Sequence, residues 1–232
     1  MGRNITAIIP AAGLGKRFGG GTNKPFLTLG GLPLIIWALR ALEEIDDITE
    51  MVPVFKSEEM AEGLDLIGRY GITKVKQVVP GGKERQDSVY NGLSSLDTKT
   101  DIVVIHDGVR PLVEKSLIKE AIRQIDDADG VIAAVPVKDT IKTVRAENIV
   151  QETLDRKSLW AVQTPQVFKY PLLTEAYRKA VSERFYSTDD SAIMERYGGK
   201  VKVIMGSYAN IKITTPEDID MAEIFLRKKE KA

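Results

Sequence analysis

Short runs of β-branched and apolar residues alternate with helical stretches along roughly the first two-thirds of the chain, and this order leaves few folds open. It is typical of a parallel sheet that carries helices on both faces. The runs that read as strands are Ile5–Ile9, Met51–Phe55, Val75–Val79, Ile102–Ile105 and Val131–Val135. The predicted helices between them are Leu34–Glu44, Ser57 to about Tyr70, about Glu84 to Leu96, and Lys115–Ile125. The sequence therefore predicts an α/β fold with a doubly wound, mostly parallel, Rossmann-like sheet.

The alternation stops between residues 138 and 158. There Ile141–Val144 and Ile149–Thr153 flank a short polar turn, a pattern typical of a β-hairpin. We expect this hairpin to project from the sheet as an arm. The remaining predicted elements are a helix at Leu172–Glu183, a short helix after Asp190, strands at Val201–Ile204 and Asn210–Ile213, and a helix from Pro216 to Lys228. With 232 residues and no low-complexity linker, we expect one domain, residues 1–232, with the arm at about 138–158.

The composition argues against several classes of protein. The 33 basic and 33 acidic side chains cancel to a formal net charge of zero, so no overall field favours nucleic acid or an anionic membrane. The chain has no cysteine, which excludes disulfides, thiolate nucleophiles and thiolate metal sites. The apolar run near the N-terminus is far shorter than a signal segment or a membrane span. We therefore expect a cytoplasmic protein that binds neither nucleic acid nor a membrane.

The loop after the first predicted strand carries the clearest functional signal. It reads Pro10-Ala11-Ala12-Gly13-Leu14-Gly15-Lys16-Arg17, and Lys24 follows it. Small residues let backbone N–H groups approach phosphate oxygens, and the cations add positive charge. In an open parallel sheet, ligands bind beyond the carboxyl ends of the strands, where this loop lies. The loop is therefore expected to bind phosphate; the alternative is a solvated turn that only links strand to helix.

Two common phosphate-binding motifs do not fit this loop. A Walker A loop would need a glycine in place of Pro10 and a hydroxyl in place of Arg17. The dinucleotide fingerprint would need a third glycine in place of Phe18 and an acid near Lys56, at the end of the second strand. The sequence thus disfavours NAD binding.

The fourth predicted strand ends in His106-Asp107-Gly108-Val109-Arg110, at the same sheet edge as the first loop. Asp107 is predicted to bind Mg²⁺, because magnesium is often held by one or two carboxylates together with substrate phosphates and waters. The alternative is that Asp107 caps the amides of its own loop. His106 is the only histidine, which leaves no multi-histidine metal site, and we expect it to pack at the strand end rather than act in catalysis.

Further hydroxyls, glycines and cations lie near predicted strand or loop ends. After the third strand, Gly82 allows close backbone approach, and Arg85 and Ser88 can hydrogen-bond a ligand. A second group comprises Arg156, Thr164, Thr188 and Lys212. Taken singly, each of these residues is more typical of a protein surface than of a binding site.

As an ordered set, these motifs resemble the 2-C-methyl-D-erythritol 4-phosphate cytidylyltransferase family of the non-mevalonate isoprenoid pathway. The resemblance runs from about residue 5 to 226 and covers Pro10–Arg17, Lys24–Phe26, Gly81–Ser88, His106–Pro111, Asp139-Thr140, Asp155-Arg156, Thr164–Gln166, Thr188–Asp190 and Asn210–Thr214. It implies a nucleotidyltransferase sheet with a protruding β-arm. It also implies an Mg²⁺-dependent transfer of CMP from CTP to the acceptor phosphate, giving 4-diphosphocytidyl-2-C-methyl-D-erythritol and pyrophosphate.

The resemblance further implies roles for individual residues. CTP would be bound by Ala11, Ala12, Gly13, Gly15, Gly82, Arg85 and Ser88. The acceptor would be bound by Asp107, Arg110, Thr140, Arg156, Thr164, Thr188 and Lys212, with Asp107 also the metal ligand. Catalysis would depend on the charges of Arg17, Lys24, Arg156 and Lys212. The chain would form a homodimer in which the arm embraces the partner and brings Arg156 into the other subunit's site.

The chain departs from the usual family pattern at Phe18, Pro25 and Gly108-Val109, none of which is a charged position. Two alternatives therefore stay open. One is a related nucleotidyltransferase that acts on ribitol 5-phosphate or on another polyol or sugar phosphate, or that uses another nucleotide. The other is a nucleotide-binding module without catalysis, which would not need cations that converge from both ends of the chain.

Overall fold

The computed structural model describes residues 2–13 and 23–230, without the side chain of Glu230. Its strands are β1 (Ile5–Pro10), β2 (Thr28–Leu29), β3 (Leu32–Pro33), β4 (Ile48–Phe55), β5 (Val79–Pro80), β6 (Ile102–Ile105), β7 (Gly130–Pro136), β8 (Lys142–Val144), β9 (Val150–Thr153), β10 (Trp160–Lys169) and β11 (Val201–Met205). Its α-helices are α1 (Leu34–Glu43), α2 (Met60–Arg69), α3 (Arg85–Ser94), α4 (Lys115–Arg123), α5 (Tyr170–Ser182), α6 (Asp190–Arg196) and α7 (Pro216–Glu230). No described helix is long and apolar enough to cross a membrane.

The main sheet has seven strands in the order β11-β7-β10-β6-β1-β4-β5. Pairing is parallel from β6 through β1 and β4 to β5, and also between β7 and β11. Only β10, among the described strands of this sheet, runs antiparallel to its neighbours β6 and β7. The predicted α/β fold with a mostly parallel sheet is confirmed.

Helices cover both faces of the sheet, which explains why its inner strands are apolar throughout. Along β1, Ala7 and Ile9 pack into a core with α1, α2 and α4, whereas Ile8 packs into a second core with α3 and α5. All six residues of β1 are buried. Continuous apolar strands of this kind are expected where a sheet is covered on both sides. A third, smaller core joins α7 to the start of α1.

Strand β10 was not predicted from the sequence. Its segment, Trp160–Lys169, contains Pro165 and two glutamines, which interrupt the apolar alternation. In the structure, the pairing of β10 with β7 shifts between Val162 and Gln166. Pro165 lies within this interruption, where its missing N–H breaks no regular ladder bond. The shift in pairing therefore allows a proline inside the sheet. The same polar interruption explains why the sequence pattern did not predict this strand.

The predicted strand at Asn210–Ile213 is wrong. The segment forms no strand and joins no sheet of the described chain. Instead, Ile213 donates its N–H to the carbonyl of Val109 at 2.9 Å and buries its side chain completely. The apolar side chains anchor the segment over the loop after β6. The predicted strand Val75–Val79 is also reduced to one bridge at Val75 and the short β5.

The hairpin predicted between residues 138 and 158 is present as β8 and β9, which pair with each other and with no strand of the main sheet. Its tip residues Glu147 and Asn148 have left-handed backbone, with φ of 73° and 60°. All four residues of β9 are exposed. Asparagine tolerates this backbone region better than most residues, which suits the turn.

Candidate active site

Two cavities lie side by side where β1, β5, β6 and the described loops beyond them meet. The first, of about 320 Å³, is lined by the loops after β1, β5 and β6 together with Lys24 and Lys212. The second, of about 450 Å³, is lined mainly by residues of β10 and of the start of α6. Arg85, Asp107 and Lys212 line both cavities. These three side chains form the shared wall between the cavities.

The floor of the first cavity is backbone from small residues. Ala11, Ala12 and Gly13 follow β1, and the N–H of Ala11 is held by the carbonyl of Val54 at 2.8 Å. A Cβ added to Gly81 would lie 2.3 Å from the Cβ of Ala12, well inside van der Waals contact. The loops after β1 and β5 therefore press against each other at a point where only glycine fits.

The loop after β5 is braced by Ser88, a predicted nucleotide ligand. The Ser88 hydroxyl accepts from the N–H of Gly82 at 3.1 Å and donates to the carbonyl of Glu84 at 3.1 Å. A Cβ on Gly82 would collide with Asp87 at 2.2 Å. Ser88 is buried and lines the cavity, so its hydroxyl shapes the loop at the N-terminus of α3. Helix N-termini favour anions, which suits a phosphate-bearing ligand here.

Asp107 lies at the centre of the shared wall among three cations. Its Oδ1 is 3.0 Å from Arg85 Nε, and its Oδ2 is 2.8 Å from Lys212 Nζ. Arg110 Nε lies 3.8 Å from the same Oδ2. Burial would raise the pKa of Asp107, but the three cations outweigh burial and hold that pKa well below its usual range. The carboxylate is therefore ionised at neutral pH and holds the cations in one place.

A second buried carboxylate, that of Asp190, also binds Arg85. Its Nη1 and Nη2 donate to Oδ1 and Oδ2 of Asp190 at 3.1 and 2.9 Å, a bidentate pair. The Tyr177 hydroxyl donates to Oδ1 of the same carboxylate. Burial would lower the pKa of Arg85, but attraction to Asp190 and Asp107 raises it well above its usual value. Arg85, Arg110 and Lys212 thus outnumber the two carboxylates with which they pair, Asp107 and Asp190, and a net positive charge remains at and beside the shared wall, as an anion-binding site requires.

Hydrogen bonds of His106 and Thr164 hold the loop after β6 in place. His106 Nε2 lies 3.1 Å from the carbonyl of Arg110, which can only accept, so Nε2 carries the hydrogen. Nδ1 then accepts from the Thr164 hydroxyl at 3.1 Å, and that hydroxyl accepts from the N–H of Asp107. Burial lowers the pKa of His106 to about 4. His106 is thus a neutral, fully buried structural residue, as the sequence suggested.

Arg110 supplies a cation to the second cavity. It is nearly buried, and its Nη1 donates to the carbonyl of Asn210 at 2.7 Å. The Asn210 side chain in turn donates to the carbonyl of Thr164 at 2.8 Å. The Nε of Arg110 is buried without a hydrogen-bond partner in the described chain, although it is within ion-pair distance of Asp107. Because Arg110 lines the second cavity, its positive charge lies close to any anion bound there.

The structure brings most of the predicted site residues together. Those that line the first cavity are Ala11, Ala12, Gly13, Lys24, Gly82, Arg85, Ser88, Asp107 and Lys212, and those that line the second include Arg110, Thr164 and Thr188. Thr140 and Arg156 line neither cavity: both are exposed, and Arg156 Nη1 donates to the carbonyl of Lys138 at 2.7 Å. Gly15 and Arg17 lie outside the described residues.

Several residues that build the site were not predicted from the sequence. Asp190 binds the predicted ligand Arg85, and Asn210 binds the predicted ligands Arg110 and Thr164. Tyr177 and Gln163 support them by hydrogen bonds to Asp190 and Asn210, respectively. Asp190 lies within one of the recognised motifs but starts a helix, where an acidic residue usually reads as exposed. Only its complete burial distinguishes it, and burial depends on the packing of α3, α5 and α6.

The described residues include no group of three acidic or histidine side chains that could hold a metal ion. Each oxygen of Asp107 already contacts a cation, but each also has a second lone pair, so Asp107 can still supply a bond to a metal ion. Magnesium commonly keeps several waters and takes its other ligands from substrate phosphates. The donor set therefore fits a magnesium ion that arrives with a triphosphate.

Comparisons with known proteins agree with this geometry. A family model described as 2-C-methyl-D-erythritol 4-phosphate cytidylyltransferase matches residues 5–228. The protein of that name from Caldanaerobacter subterraneus subsp. tengcongensis is 46% identical over 226 residues, which cover 97% of this chain and 100% of the relative. The one from Desulforamulus reducens is 46% identical over 228 residues and 97% of each chain.

Solved structures extend the similarity to the fold. The 4-diphosphocytidyl-2C-methyl-D-erythritol synthase from Anaerococcus prevotii superimposes with a TM-score of 0.86 at 33% identity, over 97% of this chain and 96% of that one. The 2-C-methyl-D-erythritol 4-phosphate cytidylyltransferase from Thermus thermophilus gives a TM-score of 0.75 at 26% identity, over 98% and 100% of the two chains. The likeness therefore spans the whole sheet.

Proposed function

The chain belongs to the 2-C-methyl-D-erythritol 4-phosphate cytidylyltransferase family, and from this premise we propose that the two cavities hold its two substrates. The enzyme transfers CMP from CTP to 2-C-methyl-D-erythritol 4-phosphate in the non-mevalonate isoprenoid pathway. The products are 4-diphosphocytidyl-2-C-methyl-D-erythritol and pyrophosphate. The observation that carries the proposal is the cationic wall of Arg85, Asp107 and Lys212, which faces both cavities.

CTP is assigned to the first cavity. Its floor of Ala11, Ala12 and Gly13 has only small side chains, so a triphosphate can approach the backbone N–H groups of Ala12 and Gly13, while the N–H of Ala11 is held by Val54. Gly82 and Ser88 shape the opposite side. Lys24 lines the same cavity and adds positive charge. Gly15 and Arg17, which continue the loop after Gly13, stay predicted ligands of the phosphates.

The acceptor is assigned to the second cavity. Arg110 and Lys212 offer cations for its phosphate, and Thr188 lies at the rim. Thr164 acts there mainly through Asp107, since its hydroxyl already bonds the Asp107 N–H and the His106 ring. Thr140 and Arg156 are assigned to the acceptor site of a partner subunit.

The reaction needs no protein nucleophile. A phosphate oxygen of the acceptor attacks the α-phosphorus of CTP; the new P–O bond forms as the bond to the β-phosphate oxygen breaks, and pyrophosphate leaves. Catalysis then consists of positioning two anions and stabilising the charge that develops between them. Lys24, Lys212 and Arg17 are the cations proposed to do this.

We assign Mg²⁺ to the triphosphate oxygens, with Asp107 as its only proposed protein ligand. When bound, the ion neutralises triphosphate charge and favours pyrophosphate as a leaving group. Because Asp107 already pairs with Arg85 and Lys212, its main role in this chain is to hold those cations at the shared wall.

A homodimer through the arm is the proposed assembly. Three apolar residues of the arm, Val144, Ile149 and Val150, are more than half exposed, and Trp160 at the base of the arm is 40% exposed. Clustered exposed apolar side chains are typical of an interface. A partner on this surface would bring Arg156 near the second cavity. A cytoplasmic location stays a prediction from the sequence.

The proposed function is tested by pyrophosphate release in the presence of Mg²⁺. CTP, UTP, ATP and GTP are each paired with 2-C-methyl-D-erythritol 4-phosphate and with ribitol 5-phosphate. Fast release is expected only with CTP and the methylerythritol acceptor. A preference for ribitol 5-phosphate would contradict the acceptor assignment, and no release with any pair would contradict the enzymatic assignment.

A further inference from the structure

Asp190 is a completely buried carboxylate, and Arg85 is its ion-pair partner in the described chain. Removing a carboxylate from water costs several kcal/mol, and such a pair often contributes little net stability compared with apolar residues of the same volume. A buried pair is better explained where it fixes the geometry of a functional group. Here that group, Arg85, lines both substrate cavities.

The geometry shows how the position of Arg85 is fixed. Arg85 begins α3, Tyr177 lies in α5 and Asp190 begins α6, so three helices meet at one carboxylate. The ring of Tyr177 also stacks on Tyr90, with centroids 6.1 Å apart and planes within 3°. Burial and the neighbouring Asp190 raise the pKa of Tyr177 well above its usual value, so the phenol stays a donor.

The bidentate pair with Asp190 determines which N–H groups of Arg85 stay available to Asp107 and to a ligand. Of the five N–H groups of a guanidinium, two bind Asp190 and the Nε–H binds Asp107, which leaves two for a ligand. Because Arg85 gives Asp107 only one bond, the second oxygen of Asp107 stays with Lys212 at 2.8 Å. Without Asp190, the guanidinium of Arg85 could rotate, form a bidentate pair with Asp107 and displace Lys212 from that carboxylate.

We propose that Asp190 is a positioning residue for CMP transfer: it fixes Arg85 and, through Arg85 and Asp107, the placement of Lys212 between the two substrates. This inference rests on the proposed function, since it assigns the wall to that reaction. Asp190 contacts no substrate in this scheme and acts only through the cations Arg85 and Lys212.

The test is a double-mutant cycle on the full-length protein, with steady-state pyrophosphate release from CTP and 2-C-methyl-D-erythritol 4-phosphate. Asp190→Asn keeps the side-chain shape and removes the charge, and it is expected to lower kcat by about 10- to 100-fold, the range typical of groups that orient a functional ligand. In an Arg85→Met background the same substitution is expected to lower kcat no further, because its target is gone.

A matched control separates positioning from stability. Glu59→Gln also removes a buried, paired carboxylate, since Glu59 is 2% exposed and bonds Lys56 at 2.7 Å, but it lines neither cavity. It is expected to lower the melting temperature without lowering kcat. Tyr177→Phe, which keeps the charge pair and removes one bond to Asp190, is expected to lower kcat by a smaller factor than Asp190→Asn.

Each outcome bears on the inference. If Asp190→Asn behaves like Glu59→Gln, with lower melting temperature and unchanged kcat, Asp190 is only structural and the inference is wrong. If Asp190→Asn causes the same fold loss with and without Arg85, it does not act through Arg85, which also overturns the inference. A wild-type protein that transfers no nucleotide would instead contradict the proposed function on which the inference rests.

Discussion

Asp107 organises the site at the scale of single residues. It is ionised, buried and in contact with Arg85 and Lys212, so its charge is already balanced before a substrate arrives. On the proposed function, a triphosphate or a polyol phosphate that enters either cavity would compete with Asp107 for these cations. The cations would therefore need little rearrangement to bind phosphate. Charges that are already in position lower the activation free energy in this way.

Lys24→Ala and Lys212→Ala are each expected to reduce kcat by about 10²–10³, equivalent to roughly 3–4 kcal/mol, as for other groups that stabilise developing charge. KM for CTP should change much less, because the backbone of the first cavity still binds the nucleotide. Steady-state pyrophosphate release measures both constants. Lys115→Ala, which removes an exposed lysine paired with Glu44, is the control. Unchanged kcat in both cavity variants would remove these lysines from the mechanism.

The lowered pKa of His106 predicts how the free energy of unfolding depends on pH. Its pKa is about 4 in the folded protein and about 6.5 in the unfolded chain, so the unfolded chain takes up the proton first as pH falls. Its contribution to stability is complete above about pH 6.5 and is lost as the pH falls toward about 4, by up to about 3 kcal/mol.

Urea unfolding of His106→Gln between these pH values tests that dependence. The variant is expected to be less stable near neutral pH, since it loses the bonds to Thr164 and Arg110, but to lose less stability than the wild type on acidification. Parallel curves for the two proteins would show that His106 does not titrate in this range.

The candidate ligands that could be predicted from the sequence are those whose chemistry is local. Small residues and cations just after a strand indicate phosphate binding in any parallel sheet, so Ala12, Lys24 and Arg85 were predicted without coordinates, and all three line the first cavity. Asp190 could not be identified in this way. Its role depends on burial by three helices, and neither its spacing nor its charge distinguishes it from a surface acid.

At the scale of elements, the first cavity depends on the contact between the loops after β1 and β5. Gly81→Ala would place a methyl group 2.3 Å from the Cβ of Ala12, and both atoms are fixed to backbone. We expect a loss of about 1–3 kcal/mol in unfolding free energy, as for other overpacked sites. KM for CTP should rise because the floor of the cavity must shift.

Gly68→Ala in α2 is the matched control for Gly81→Ala. A Cβ on Gly68 meets no atom within 4 Å, and alanine in a helix interior is favoured over glycine by about 0.5–1 kcal/mol. Thermal unfolding and CTP titrations of both variants give the comparison. Equal KM values for CTP in wild type and Gly81→Ala would contradict the role of this contact.

The elements also show where sequence patterns fail. The parallel strands were predicted because burial on both faces makes them continuously apolar. Strand β10 was missed because Gln163 and Gln166 line the second cavity and Pro165 falls where the pairing with β7 shifts, so the apolar alternation is interrupted. Asn210–Ile213 has an apolar pattern for the opposite reason: Ile213 anchors a loop instead of extending a sheet.

At the scale of the whole molecule, the site is expected to be complete only in a dimer. Arg156 lies on the arm, away from the cavities of its own chain, and the exposed apolar residues of the arm favour a partner there. Arg156→Ala and Lys212→Ala should each be nearly inactive alone. Mixed dimers would regain one intact site, so an equal mixture should recover about a quarter of wild-type activity.

The mixing experiment is followed by pyrophosphate release after subunit exchange, with dimer formation checked by sedimentation velocity. Refolding each variant alone is the control for recovery caused by handling. Activity that stays at the sum of the two variants, in a sample shown to contain mixed dimers, would mean that Arg156 does not act across subunits.

Labelled oxygen followed through the reaction shows whether the acceptor phosphate attacks the α-phosphorus of CTP directly. The enzyme is given CTP and 2-C-methyl-D-erythritol 4-phosphate whose phosphate carries ¹⁸O, and the products are identified by mass spectrometry. Direct attack at the α-phosphorus predicts 4-diphosphocytidyl-2-C-methyl-D-erythritol that retains the whole label, and unlabelled pyrophosphate. Label in the pyrophosphate, a CMP–protein adduct or the absence of this product would contradict transfer across the shared wall.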